Sequence, residues 1–272
     1  MQARVVFFVS DRTGLTTQAV GDSLLTQFEG IDIKRAFLPY VDNIRKAKQV
    51  VELINDAAHV SGIRPLVFCT LTDDQIREVI KASEGFVLDC FDQFIGPLEE
   101  ELGMLSSHVM GRAHAMRSDQ QERERTDAVN FALVHDDGQV PDFRKADIIL
   151  VGVSRSGKTP VSMYFALKFG LFVGNYPLTE EDFVSFDVPL CLRRFQHRLF
   201  GLSVAPNRLH MMRQARMPNS RYAAQETCLR EYTWALQFFE QHQIPYMDNS
   251  HTSIEEVATK IMQKTGLEPK FH

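Results

Sequence analysis

Ala146-Asp147-Ile148-Ile149-Leu150-Val151-Gly152-Val153-Ser154-Arg155-Ser156-Gly157-Lys158-Thr159 joins a run of apolar, mostly β-branched residues to the complete pattern GxxxxGK[ST]. Ile148 to Val151 read as a buried strand, and Val161 to Phe172 carry a helix-like apolar periodicity. The motif therefore has the strand-loop-helix context that a phosphate loop needs. Each fixed residue has a chemical reason. Gly152 and Gly157 let the backbone turn tightly and approach an anion where a Cβ would block it. The N–H groups of Gly152, Val153, Ser154, Arg155, Ser156 and Gly157 can then converge on phosphate oxygens, aided by the positive end of the following helix. Lys158 supplies a point charge for a terminal phosphate, and Thr159 offers its hydroxyl to Mg²⁺. Pro160 fits the first helical turn, which does not use its missing N–H. The alternative is a Gly-rich turn capped by Ser156 or Thr159, with Lys158 merely exposed.

Working outward, 272 residues can bury a substantial core as one large or two moderate domains, and two is the expectation. With 44% hydrophobic and 24% charged residues the composition is that of a folded globule rather than a disordered or fibrous chain. Lys plus Arg number 30 against 35 Asp plus Glu, so the formal charge of −5 argues against a general nucleic-acid binder. Cys69, Cys90, Cys191 and Cys228 are widely spaced without a CxxC pair, which disfavours a zinc knuckle or redox dithiol. No signal peptide or apolar span near 18 residues is evident, so a cytoplasmic location without membrane partners is expected.

The N-terminal half alternates strand and helix. Arg4 to Val9 reads as a strand, Thr16 to Phe28 as a helix, Lys34 to Pro39 as a strand and Val41 to Ala58 as an amphipathic helix. Pro65 to Leu71 and Phe86 to Cys90 are further strands around a helix from Asp73 to Ala82 capped near Thr72. This βαβ alternation predicts an N-terminal α/β domain over residues 1–141, followed by a phosphate-loop kinase-like α/β domain with a mostly parallel sheet over residues 142–272. Arg117 to Arg125 read as an exposed helix or hinge, Asp127 to His135 return to amphipathic spacing, and Asp136-Asp137-Gly138 marks a turn. In the second domain Val173 to Asn175 and Ile244 to Asp248 are strand candidates. The Arg-rich segment between them reads as mostly helical, and Ile254 to Met262 form an amphipathic terminal helix. No internal repeat stands out.

Beyond the loop the chemistry is less determinate. Asp187 and Asp248 can each approach a metal if their strands neighbour Ile148 to Val151, or serve as ordinary strand-end residues. Arg193, Arg194, Arg198, Arg208, Arg213, Arg216 and Arg221 can clamp phosphates or form a solvated face. Arg155, inside the loop, is the better individual candidate. Ser10, Asp11, Thr13 and Gly14 form either a second polar site or an Asx-type cap. His135-Asp136-Asp137-Gly138 offers a base with two carboxylates, or a turn. His108 and His114, six apart, do not suggest a transition-metal pair.

These motifs together resemble one bacterial family, that of the phosphoenolpyruvate synthase regulatory proteins and pyruvate, phosphate dikinase regulatory proteins. The likeness runs nearly end to end. It comprises Phe8-Val9-Ser10-Asp11 with Thr13, the block from Gly62 to Phe68, His135-Asp136-Asp137-Gly138 and Gly152 to Pro160. It continues through Lys168-Phe169-Gly170, Asn175-Tyr176-Pro177, Phe200-Gly201-Leu202, Asn219-Ser220-Arg221-Tyr222 and Ser253-Ile254-Glu255-Glu256. Some relatives have Cys where this chain has Ser156, a change at a position that contributes mainly backbone geometry.

The resemblance implies a bifunctional enzyme. ADP would donate its β-phosphate to a threonine of the partner enzyme, inactivating it and releasing AMP. Inorganic phosphate would attack the phosphothreonine, releasing pyrophosphate and restoring activity. The expected target is phosphoenolpyruvate synthase, with pyruvate, phosphate dikinase as the alternative, and on this reading the domain over residues 1–141 would bind that partner or frame the cleft. A nucleotide-gated regulator that binds without covalent modification is the alternative of a different class. The expected catalytic set is Lys158, Arg155, Asp136, Asp137 and Asp248, with Thr159 toward Mg²⁺. A homodimer is compatible with the sequence.

Overall fold

The computed structural model describes residues 3–106, 119–136 and 142–270. The chain divides into two compact units, Met1–Met116 and Arg117–His272. The expected boundary at 141/142 thus falls about one helix too late. Helix α5 (Asp119–Val134), assigned by sequence to the first domain, belongs to the second unit. There Ala128 and Ala132 pack on Ala166, and Phe131 enters the second unit's core. The turn signal at 136–138 resembled a domain boundary because small residues on a helix face say nothing about which neighbour they approach.

The first unit is a four-stranded parallel sheet of order β2-β1-β3-β4. Its strands are β1 (Arg4–Ser10), β2 (Ile33–Leu38), β3 (Leu66–Thr70) and β4 (Phe86–Asp89). Helices α1 (Leu15–Leu25), α2 (Ile44–Ser61), α3 (Asp74–Lys81) and α4 (Asp92–Leu102) accompany them. The apolar run of β1 fills both faces. Phe7 and Val9 join Val67, Cys69, Val50, Ile54, Ile76 and Ile80, while Val6 and Phe8 join Leu25 and Phe68. Two-sided burial explains why the strand lacks a polar alternation. Helix α3 is capped by Asp73, which accepts from the N–H groups of Gln75 and Ile76, rather than by Thr72. Asp11 does not cap α1, whose N-cap is Gly14 at φ 76° with no side-chain bond. It accepts instead from the backbone N–H and hydroxyl of Thr72, tying β1 to the end of β3.

The second unit repeats this order. Its sheet is parallel, β6-β5-β7-β8, so both units place their second, first, third and fourth strands side by side. The elements after α5 are β5 (Ile148–Gly152), α6 (Lys158–Phe169), β6 (Val173–Pro177), α7 (Glu180–Ser185) and β7 (Leu199–Ser203). Then follow α8 (Pro206–Arg216), α9 (Gln225–Gln241), β8 (Tyr246–Asp248) and α10 (Ile254–Thr265). The expected α/β architecture with parallel strands is present in both units.

The Arg-rich stretch is mostly helical, as expected, but it also holds strand β7, which the sequence reading did not mark. Leu199 packs on one side of the sheet and Phe200 and Leu202 on the other, so this strand is a buried neighbour of β5. Five residues between arginine-bearing segments give a short apolar run that periodicity cannot separate from a helix fragment. Among the described residues no helix is long and apolar enough to cross a membrane.

Candidate functional site

Strand β5 lies between β6 and β7, and the chain leaves it to form β6 on one side before returning to form β7 on the other. The loop after β5 therefore occupies the point where strand order reverses. Crevices open there because successive connections diverge to opposite sides of the sheet. Residues 153–157 make this loop, and Gly157, at φ 92°, is the N-cap of α6 with no side-chain cap. The sequence-level alternative of a helix start capped by Ser156 or Thr159 is not what the loop forms.

Both glycines are fixed by close approach. A Cβ on Gly152 would run into the Leu202 carbonyl of β7 and the Ser156 hydroxyl, so this residue is small because a neighbouring strand crosses it. On Gly157 a Cβ would meet the Asn249 side-chain amide, in addition to the positive φ. Arg155 also has a positive φ, 72°, without being glycine. A side chain in the left-handed region costs roughly 1–2 kcal/mol, and such strain concentrates at sites where a backbone direction is needed.

Lys158 and Thr159 of the motif are both engaged by hydrogen bonds. Lys158 is buried, and its Nζ donates to the carbonyls of Gly152, 2.8 Å, and Val153, 3.0 Å. These bonds hold the loop closed in this conformation. The Thr159 hydroxyl donates to both carboxylate oxygens of Asp136, at 2.8 and 3.0 Å. Asn175 of β6 donates to the same carboxylate at 2.6 Å and to the Ser162 hydroxyl at 3.1 Å. With its proton on Asp136, the Thr159 oxygen keeps its lone pairs for a cation. Hydroxyl and carboxylate oxygens are hard donors of the kind Mg²⁺ takes, so this corner fits that ion. Among the described residues, the buried Oδ1 of Asn175 and Oγ of Ser156 have no hydrogen-bond partner.

The remaining sequence candidates separate. Asp248 accepts from the Ser250 N–H and makes a local turn, while its neighbour Asn249 reaches the loop, donating to the Ser156 carbonyl at 2.7 Å. Asp137 lies outside the described residues, as do His108 and His114. Asp187 pairs with Arg193. Among the arginines, Arg198 holds the Ala146 carbonyl and Arg208 the Ser250 carbonyl, so both serve the backbone. Arg213 is fully buried, bonded to Glu231 at 2.6 Å and to the carbonyls of Ser154, 3.0 Å, and Tyr222, 3.1 Å. Its guanidinium lies over the Tyr222 ring, and the Tyr222 hydroxyl meets that of Ser154 at 2.8 Å. Arg216 alone of the seven reaches the cleft. Sequence reasoning missed Tyr222, Glu231, Asn249 and Asn175 as supports of the loop. Asn175 and Tyr222 stand in the blocks 175–177 and 219–222 that carry the resemblance, but each of the four arrives from a different element, so no spacing along the chain shows its role.

A cleft of about 200 Å³ opens over the loop, lined by Ser154, Arg155, Gly157, Lys158, Thr159, Pro160, Met212 and Arg216. No carboxylate is among these lining residues. Three cations around an uncapped helix start make a surface suited to an anion with several negative charges. The cysteines take no part, and burial pushes the Cys69 thiol up, away from thiolate chemistry. Among the described residues no cluster of His, Cys, Asp or Glu could hold a metal ion unaided.

Residues 6–262 match the kinase/pyrophosphorylase family. A relative from Pseudomonas fluorescens (strain Pf0-1) is 44% identical over 98% of this chain and 99% of its own length. One from Legionella pneumophila (strain Corby) is 45% identical over the same shares, and one from Hahella chejuensis is 42% identical over 97% and 98%. Each of the three bears the name "Putative phosphoenolpyruvate synthase regulatory protein".

Proposed function

The chain belongs to the kinase/pyrophosphorylase family, and from that premise we propose that it regulates phosphoenolpyruvate synthase by reversible phosphorylation of a threonine. In the inactivating direction the threonine hydroxyl attacks the β-phosphorus of ADP. The bond from that phosphorus to the bridging oxygen breaks, and AMP and a proton are released. In the activating direction an oxygen of inorganic phosphate attacks the phosphothreonine, the bond to the threonine oxygen breaks, that oxygen regains a proton, and pyrophosphate leaves.

The observation that carries this reading is the cleft over the loop, where Lys158, Arg155 and the start of α6 face one small volume. Both directions move a phosphoryl group between oxygens, so one anion site serves both. Transfer of this kind depends on positioning and charge stabilisation more than on covalent help from the protein. The N–H groups of the loop and α6 receive the equatorial oxygens, Lys158 turns from the loop carbonyls to the terminal phosphate, and Arg155 neutralises developing charge. Asp136, braced by Asn175, takes the Thr159 hydroxyl proton and so leaves that oxygen's lone pairs for a cation. Mg²⁺ bound there would neutralise charge on the donor phosphates.

The test is mass spectrometry of phosphoenolpyruvate synthase incubated with this protein and β-labelled ADP. A labelled phosphothreonine is expected, and it should disappear on addition of inorganic phosphate with formation of pyrophosphate. Inhibition with no mass change would replace the enzyme by a binding regulator. Label entering only from the γ-position of ATP would reject ADP as donor. The same assay on pyruvate, phosphate dikinase decides between the two targets.

A further inference from the structure

We propose that Arg216 is a clamp in cis, reaching from α8 to the terminal phosphoryl group bound over the 152–159 loop. The anion's identity rests on the phosphoryl-transfer reading above; the clamp rests on geometry. Arg216 and Met212, four residues apart on α8, present the same helix face and both line the cleft. Arg216 and Arg155 make no hydrogen bond or ion pair among the described residues, so two unneutralised guanidinium groups border one concave volume.

Helix α8 is also fixed relative to the loop. One turn before Arg216, the buried Arg213 donates to the Ser154 carbonyl inside the loop and to Glu231 of α9. Tyr222 adds its hydroxyl contact to Ser154. These bonds hold the backbone that carries Arg216 at a set position against the loop. A planar guanidinium so placed presents paired N–H groups to phosphate oxygens that the loop does not cover. Because the terminal phosphoryl group of ADP and the equivalent group of pyrophosphate occupy the same site, one clamp serves both directions, whereas AMP lacks the group it would grip.

The experiment is calorimetric titration of the full chain with ADP, pyrophosphate and AMP, comparing the wild type with Arg216→Ala, Arg216→Lys and Arg194→Ala. Arg194 is exposed and lies outside the cleft lining, so it controls for loss of one positive charge. Loss of a charge-assisted contact should weaken ADP and pyrophosphate binding by about tenfold to a hundredfold in Arg216→Ala. AMP binding should stay within about twofold, with Arg216→Lys intermediate and Arg194→Ala unchanged. Equal weakening of AMP, unchanged ADP and pyrophosphate affinity, or an Arg194→Ala effect as large as that of Arg216→Ala would each overturn the clamp. If the pattern appears but no threonine is phosphorylated, the clamp stands and the reaction assignment falls. If the wild type binds neither ADP nor pyrophosphate, both fall.

Discussion

Glu231→Ala should destabilise this protein strongly, because it strands a buried charge. The Arg213 guanidinium is fully buried and its closest ionic partner is the Glu231 carboxylate at 2.6 Å, itself only 14% exposed. Removing one member of a buried pair costs about 3–5 kcal/mol, since the other charge stays desolvated. The carbonyls of Ser154 and Tyr222 still accept from Arg213, which places the expected loss near the lower end, about 3 kcal/mol. For a unit of this size that corresponds to a fall in Tm of about 6–12 °C. Urea denaturation of the full chain measures it.

The paired substitution Arg213→Met with Glu231→Leu separates stability from function. Replacing both charges by apolar side chains of similar volume should restore stability to within about 1 kcal/mol of the wild type. It cannot restore the bond from Arg213 to the Ser154 carbonyl, so ADP affinity should remain about tenfold low, the equivalent of one charge-assisted hydrogen bond. A loss under about 1 kcal/mol in Glu231→Ala would refute the buried-charge argument. Wild-type ADP affinity in the stable double variant would refute the claim that Arg213 supports the loop.

Lys158→Ala should slow phosphoryl transfer by about 10²-fold or more in both directions, from loss of an electrostatic contact to the transferring group. Rate loss in one direction only, read in paired kinase and pyrophosphate-release assays, would mean two separate anion sites. Arg155→Gly should move stability and activity in opposite senses. It relieves a left-handed strain of roughly 1–2 kcal/mol against a glycine entropy term of roughly 0.5–1 kcal/mol, so the urea midpoint should rise slightly while transfer slows. A lower midpoint, or an unchanged rate, would show that the strained position has no functional role.

The strand-loop-helix around Gly152 to Thr159 and the alternation of strands and helices in the N-terminal half were legible in the sequence. Both are local: side chains within a few residues set the burial of β5, the turn at Gly157 and the start of α6. The strand at Leu199–Ser203 was not legible, because its strand character comes from β5 beside it and from the cores on either side, whereas its flanking arginines suggest solvent. The same limit governed the site. Three acidic residues were equivalent candidates by sequence, and folding alone brought Asp136 to Thr159, sent Asp248 to its own turn and substituted Asn249 at the loop. Of seven clustered arginines, tertiary packing buried one against Glu231, assigned others to backbone carbonyls and left Arg216 facing the cleft. Sequence determined which chemistry the loop can perform, because a phosphate site needs a specific run of backbone conformations and one adjacent cation. Only the tertiary structure decided which distant residues brace and complete it, since convergence of α5, β6, α8 and α9 on one point depends on packing between elements that no spacing along the chain encodes.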